Sequence, residues 1–157
     1  MTQSLYLRNG RPVALRAAAS SDLESIRRLL SELALPAAGL EEWWPHFTVA
    51  ESDEAIVGLA GMERYGDGIL LRSVAVHPSW RSSGLGRALV DTVLRHARRE
   101  GSQDAYLLTT TAEQYFPRLG FSVIPRSAVP TSVQSSMEFR EACPASAVVM
   151  HRTLAQL

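Results

Sequence analysis

The chain has 157 residues, 46% of them hydrophobic and 20% charged, with sixteen basic side chains against sixteen acidic ones. That length can bury a core of its own, so one domain over residues 1–157 is expected, and the neutral balance supplies no field for nucleic acid or an anionic membrane. One cysteine, Cys143, excludes an internal disulfide and a cysteine-based metal centre, and the four histidines lack paired ligand spacing, so no metal is expected.

The opening "MTQSLYLRNGRP" lacks a signal-peptide core and no apolar run is long enough to span a bilayer, so a cytoplasmic location is expected. "PVALRAAA" reads as the first strand. "SSDLESIRRLLSELALP" carries helix signals: Ser20 or Ser21 as cap, Glu24 completing a capping box, and Pro36 as the stop. Leu23, Ile26, Leu29, Leu30 and Leu33 share one face of it. "AAGLEEWWPHF" is a short helix or a loop, with Trp43 and Trp44 as core residues or the walls of a substrate mouth.

"FTVAESDEAIVGLAGMERYGDGILLRSVAV" reads as three strands joined by tight turns at "SDE" and "YGDG", an antiparallel meander. "GLGRALVDTVLRHARREG" is a helix closed by Gly101; its "RHARRE" run is read as a solvated face. "DAYLLTT" is a strand after that helix, so the two flanking strands should run parallel through a right-handed crossover. "TAEQYFPRLG" predicts a short helix, "FSVI" a strand and "ASAVVMHRTL" the last strand. Residues 125–144 form a long polar loop with three prolines, long enough to close over a small substrate. The fold class is α/β (α+β): a mostly antiparallel central sheet with one parallel strand–helix–strand crossover, flanked by helices.

The chemistry concentrates in "RSSGLGRALV", residues 81–90, at the strand-to-helix turn. Glycine is a poor helix former, so two at a helix start suggest close approach of a ligand to the backbone. A Walker A loop needs Lys and then Ser or Thr after its last glycine, where this chain has Arg87 and Ala88. The dinucleotide fingerprint lacks its third glycine. Unpaired amides and the macrodipole at a helix start favour an anion such as a diphosphate.

Arg81-Ser82-Ser83-Gly84-Leu85-Gly86 matches the Arg/Gln-x-x-Gly-x-Gly/Ala motif of the GNAT N-acetyltransferase superfamily, and "VAVHPSWR" before it and "YFPRLGF" after it extend the match. The chain resembles that family along nearly its whole length. The resemblance implies acetyl-CoA as cosubstrate, its diphosphate held by the amides of Ser82, Ser83, Gly84, Leu85, Gly86 and Arg87, with the Arg81 and Arg87 side chains adding charge. It also implies that Val74, Ala75 and Val76 pair with the pantetheine arm, and that the Val74 amide serves as oxyanion donor. Homodimers are common in the family, and the sequence shows no interface.

The family's usual general acid is a tyrosine four residues before the glycine of the "GF" pair; this chain has Phe116 there, and Tyr115 one residue earlier. Tyr115 is the candidate acid, with departure of the thiolate unassisted by a side chain as the alternative. Glu63, at the end of the middle meander strand, is the candidate base; it can equally be a rim carboxylate paired with Arg64 or Arg72. His77 reads as structural. Arg72, two residues before Val74 and so counted to the same strand face, either pairs with an acid such as Glu63 or holds a substrate carboxylate.

"YLLTTTAEQYFPRLGF" is similar to the corresponding segment of the glutamate N-acetyltransferase (N-acetylglutamate synthase) domain. Together with "LLRSVAV", "EF" and "CP.SA" it resembles the arsenic-resistance N-acetyltransferase branch. Both imply acetylation of the primary amine of a small amino-acid-like acceptor, glutamate or a toxic glutamate analogue. Thr109, Thr110 and Thr111 then offer hydroxyls near the thioester and Arg72 the carboxylate partner; Thr111 can instead be only a helix cap. The alternatives are a protein or peptide amine acetyltransferase and a non-catalytic CoA-binding sensor. Cys143 reads as a small side chain without a histidine partner.

Overall fold

The computed structural model describes residues 2–142 and 145–157; Cys143 and the reading attached to it lie outside them. The strands are β1 (Gln3–Tyr6), β2 (Pro12–Ala17), β3 (Phe47–Ser52), β4 (Ala55–Tyr65), β5 (Gly68–Val76), β6 (Asp104–Thr109), β7 (Ser122–Val123) and β8 (Val148–Thr153). They form one sheet in the order β1-β2-β3-β4-β5-β6-β8-β7. The pairs β1–β2, β2–β3, β3–β4, β6–β8 and β7–β8 are antiparallel. β5 and β6 are parallel, and helix α3 (Leu85–Arg99) lies between them in the chain, so the expected parallel strand–helix–strand order is present. The other helices are α1 (Leu23–Glu32), α2 (Leu40–Trp43) and α4 (Thr131–Gln134). Among the described residues no helix is long and apolar enough to cross a membrane.

The chain divides into two compact units. The first runs up to Met62 and takes in Ser73–Val93; the second comprises Glu63–Arg72 and Leu94–Leu157.

In the first unit, the apolar face read from the helical spacing is the one that packs. Ile26, Leu29 and Leu30 are buried against Leu40, Phe47, Val49, Leu59 and Ala75, with Leu23, Leu33, Trp43 and Trp44 at the edge of the cluster. Each such side chain contributes about 1.5–3 kcal/mol on burial. The start of α1 differs from expectation. Neither serine caps it; Asp22 accepts the Ala19 amide at 2.7 Å and is gripped through both oxygens by Arg16, at 2.8 and 3.0 Å. A charge-assisted pair outcompetes a neutral hydroxyl here, and the Arg16 hydrogen bonds hold the Asp22 carboxyl below its ordinary pKa. The sequence also hid β1, whose four residues are mostly exposed and carry no alternation.

Two glycines of β4 set how closely its neighbours approach. A β-carbon on Gly61 would overlap the Phe47 ring; one on Gly58 would lie 3.0–3.1 Å from the side chains of Leu85 and Leu89 and the Ala75 carbonyl. The first turn of α3 therefore seats directly on bare backbone.

In the second unit, residues 125–142 are not an extended polar loop. They form a 3-10 turn (Arg126–Ala128), α4 and a π-helical turn (Glu138–Ala142), with Pro125 and Pro130 immediately before the first two. Val129, Val133 and Phe139 pack with Leu70, Tyr106 and Val149 into a second core. Three well-placed apolar side chains outweigh the polar composition. The expected helix at "TAEQYFPRLG" is likewise reduced to a 3-10 turn, Phe116–Leu119, closed by Gly120 at φ +89°.

Candidate functional site

The glycine turn is built from β5 downward. His77 donates its amide to the Val57 carbonyl at 2.8 Å, and its Nδ1 accepts from the Ser79 amide at 3.1 Å, which starts the turn Pro78–Trp80. That is the structural role expected of it. Trp80 is buried, and the Ser83 hydroxyl donates to its carbonyl at 2.5 Å while accepting the Leu85 amide at 3.3 Å. Ser83 and Leu85 therefore point inward and hold the turn, leaving Ser82, Gly84, Gly86 and Arg87 on its accessible side.

Ser82 and Gly84 both have left-handed backbone, φ +63° and +93°. Left-handed residues interleaved in a turn direct successive N–H groups to one side, and a fifteen-residue helix begins at Leu85. The first-turn amides of that helix have no intrahelical acceptors. This concave, positively polarised backbone fits the diphosphate of acetyl-CoA. Arg81 and Arg87 are exposed beside it.

One neighbour of this turn was not singled out in the sequence. Arg8, from the loop between β1 and β2, donates its amide to the Ser83 carbonyl at 3.1 Å. Its guanidinium lies 3.6–4.0 Å from where a β-carbon on Gly84 would stand. The space above Gly84 thus holds a cation.

Val74 and Val76 are half-buried and Ala75 is buried. The parallel ladder to β6 covers Gly68, Ile69 and Leu70, and β5 runs six residues past it. Ser73 interrupts that stretch with φ +57°. A left-handed residue breaks the two-residue alternation, so placing Arg72 and Val74 on one face by counting does not hold.

Arg72 belongs to a buried cluster in the second unit. Its Nη1 donates to Glu63 Oε2 at 2.7 Å, its Nε lies 3.8 Å from Glu138 Oε1, and the Tyr65 hydroxyl donates to Glu63 Oε1 at 2.5 Å. The Arg72 and Glu63 side chains are 0% and 1% exposed. Of the alternatives left open for these two residues, the structure shows them paired with each other. The second carboxylate, Glu138, was not singled out in the sequence, because it arrives from the segment read as a loop. Burial, with the Glu63 charge adding and the Arg72 charge opposing, pushes the Glu138 carboxyl up to about 7.

Thr109 is buried, and its hydroxyl accepts the Ala112 amide at 2.9 Å in a local turn; the helical turn begins only at Phe116, without a side-chain cap, so Thr111 is not its cap. Thr110 and Thr111 are exposed. Tyr115, with Thr111, Ala112, Glu113, Gln114 and Arg118, lines a surface pocket of about 370 Å³. Phe116 is buried, its ring edge-on to Tyr115 at 5.3 Å and to Phe121 at 5.9 Å.

Residues 43–123, a little more than half of the chain, match the acetyltransferase (GNAT) domain family, and the chain belongs to that family. The amino-acid acetyltransferase of Mannheimia succiniciproducens is 31% identical over 78 residues, 48% of this chain and 18% of that protein. That of Enterobacter sp. is 28% identical over 99 residues, 60% of this chain and 22% of that protein. The chain thus spans about a fifth of the length of these curated relatives.

Among solved structures, N-acetylglutamate synthase from Neisseria gonorrhoeae, complexed with coenzyme A and N-acetyl-glutamate, superposes with a TM-score of 0.79. It is 23% identical, over 90% of this chain and 35% of that one. Rv2747 from Mycobacterium tuberculosis, also in complex with CoA, gives 0.74 at 26% identity over 88% and 98%.

Proposed function

We propose that this chain transfers an acetyl group from acetyl-CoA to the primary amine of a small amino-acid-like acceptor, glutamate or a toxic arsenical or phosphinic glutamate analogue. The observation that carries the reading is the turn at residues 82–86, with two left-handed residues opening a fifteen-residue helix. The amides of Ser82, Gly84, Gly86 and Arg87, with the Arg81 and Arg87 side chains, hold the diphosphate, while those expected of Ser83 and Leu85 are already engaged by the Trp80 carbonyl and the Ser83 hydroxyl. The backbone of Val74, Ala75 and Val76 pairs with the pantetheine arm, and the Val74 N–H donates to the oxygen that gains charge as the amine attacks the acetyl carbon.

The amine must be neutral to attack, so its proton passes to water or, through a chain of hydrogen bonds, to Glu63. Tyr115 lines an open pocket and is the residue proposed to return a proton to the departing thiolate. Arg72 is the proposed partner for the acceptor's carboxylate. Glu63 grips it tightly and Glu138 loosely, at 3.8 Å, so Glu138 is the partner an incoming carboxylate replaces. The similarity to amino-acid acetyltransferases and to an N-acetylglutamate synthase supports an amino-acid acceptor.

The test is mass spectrometry of acetylated products. Purified protein receives acetyl-CoA with glutamate, other amino acids, phosphinic and arsenical glutamate analogues, polyamines and short peptides. One acetylated amino acid, absent with Gly84→Val, is the expected result. Acetylation of peptides or polyamines alone overturns the acceptor assignment while leaving the transferase class standing.

A further inference from the structure

The loop between β1 and β2 is more than a connection. Gly10 donates its amide to the Leu7 carbonyl at 2.8 Å, Leu7 to the Arg11 carbonyl at 3.3 Å, and Arg11 to Asn9 Oδ1 at 3.0 Å, so the tip is tied to itself. It is also tied to the glycine turn through the Arg8 amide and the Ser83 carbonyl. A second attachment comes from Arg11, whose guanidinium carbon lies 4.1 Å from the centroid of the buried Trp80 ring. Stacking of this kind fixes an arginine's direction without neutralising it. Among the described residues neither Arg8 nor Arg11 is paired with a carboxylate.

We propose that Arg8 is a phosphate-binding residue of the coenzyme site, carried to the glycine turn by the β1–β2 loop and aimed there by Arg11 stacked on Trp80. This rests on the acetyl-CoA reading above. The reason is placement: the Arg8 guanidinium lies 3.6–4.0 Å from where a β-carbon on Gly84 would stand, next to the start of the fifteen-residue helix. An arginine presents several N–H donors in a rigid fork, so it can bridge two phosphate oxygens while the turn's amides hold others. Because it lies over the turn rather than beyond it, its partner is the diphosphate rather than the 3′-phosphate. The loop thereby closes the phosphate site on a side that the sequence motif does not reach.

Isothermal calorimetry with coenzyme A and with dephospho-coenzyme A, on wild type, Arg8→Ala and Arg8→Lys, tests this. Arg8→Ala keeps the backbone bond to Ser83, so the turn itself stays intact. It is expected to lose on the order of 10-fold or more in affinity for both ligands, the worth of a charge-assisted hydrogen bond, with Arg8→Lys recovering part of the loss. Removing one phosphate contact should also flatten the fall of affinity with added NaCl, which a packing role would not do. Arg8→Ala within 2-fold of wild type, with the same salt dependence, overturns the proposal. Loss for coenzyme A alone overturns the diphosphate assignment in favour of the 3′-phosphate. A wild type that fails to bind coenzyme A overturns the coenzyme reading itself.

Discussion

Arg72 and Glu63 form an ion pair at 2.7 Å with both side chains withdrawn from solvent. Charges in such a place are stabilising only together, because each one's desolvation is offset by the other. Glu63→Ala takes the carboxylate at 2.7 Å from a buried guanidinium whose other carboxylate neighbour, Glu138, stands 3.8 Å away, and should cost about 3–5 kcal/mol in urea unfolding. A loss below 1 kcal/mol would mean that water reaches Arg72 once Glu63 is gone.

Glu138 makes stability depend on pH in a definite direction. Its folded carboxyl titrates at about 7 against an ordinary 4.5, so the folded state binds the proton more tightly. The group's contribution is therefore full below pH 4.5 and lost as pH rises through 7, by about 3 kcal/mol in total. Subtracting the unfolding free energy of Glu138→Gln from that of wild type, at pH 5 and pH 8, isolates it. The difference should move against wild type at pH 8. Parallel curves would show a carboxylate already ionised.

The same residue bears on the acceptor. If Glu138 competes with an incoming carboxylate for Arg72, Glu138→Gln lowers KM for an acidic amino acid several-fold and makes it flat across pH 6–8. A purely structural role gives a KM that is unchanged or raised.

Gly84 holds φ +93°, which costs a residue with a β-carbon about 1–2 kcal/mol. Gly84→Ala would bring its β-carbon only to ordinary contact with Arg8, 3.6 Å away, so strain rather than collision is what changes. Coenzyme A binding should weaken about 10-fold as the turn relaxes. Gly84→Val, bulkier and β-branched, should abolish it.

Tyr115→Phe removes a hydroxyl from a surface pocket and leaves Phe116 in its core. Turnover should fall about 10²-fold with coenzyme affinity unchanged. Equal turnover in the two proteins would retire Tyr115 as the acid.

Much of this architecture was legible because it is local. The leucine spacing of α1, the tight turns of the meander and the glycines at residues 84 and 86 each announce themselves within a dozen residues. What escaped was brought together over distance. Arg8 reaches Ser83 across 75 positions through a hairpin whose first strand is nearly all exposed, so nothing near Arg8 signals its partner. Glu138 meets Arg72 because Val129, Val133 and Phe139 fold a polar, proline-marked stretch onto the second core. Ser73 defeated the face count for a different reason: a left-handed serine inside a strand has no sequence signature.

β8 sits between β6 and β7, pairing with six residues of one and two of the other, although both precede it in the chain. A nascent polypeptide therefore leaves the ribosome with two strand edges whose shared partner has not yet been made. Until residues 148–153 emerge, those edges are open to strands of other chains, and the second unit cannot complete its sheet. Ribosome-bound intermediates stalled before that point should be the aggregation-prone and chaperone-dependent species in the biogenesis of this protein.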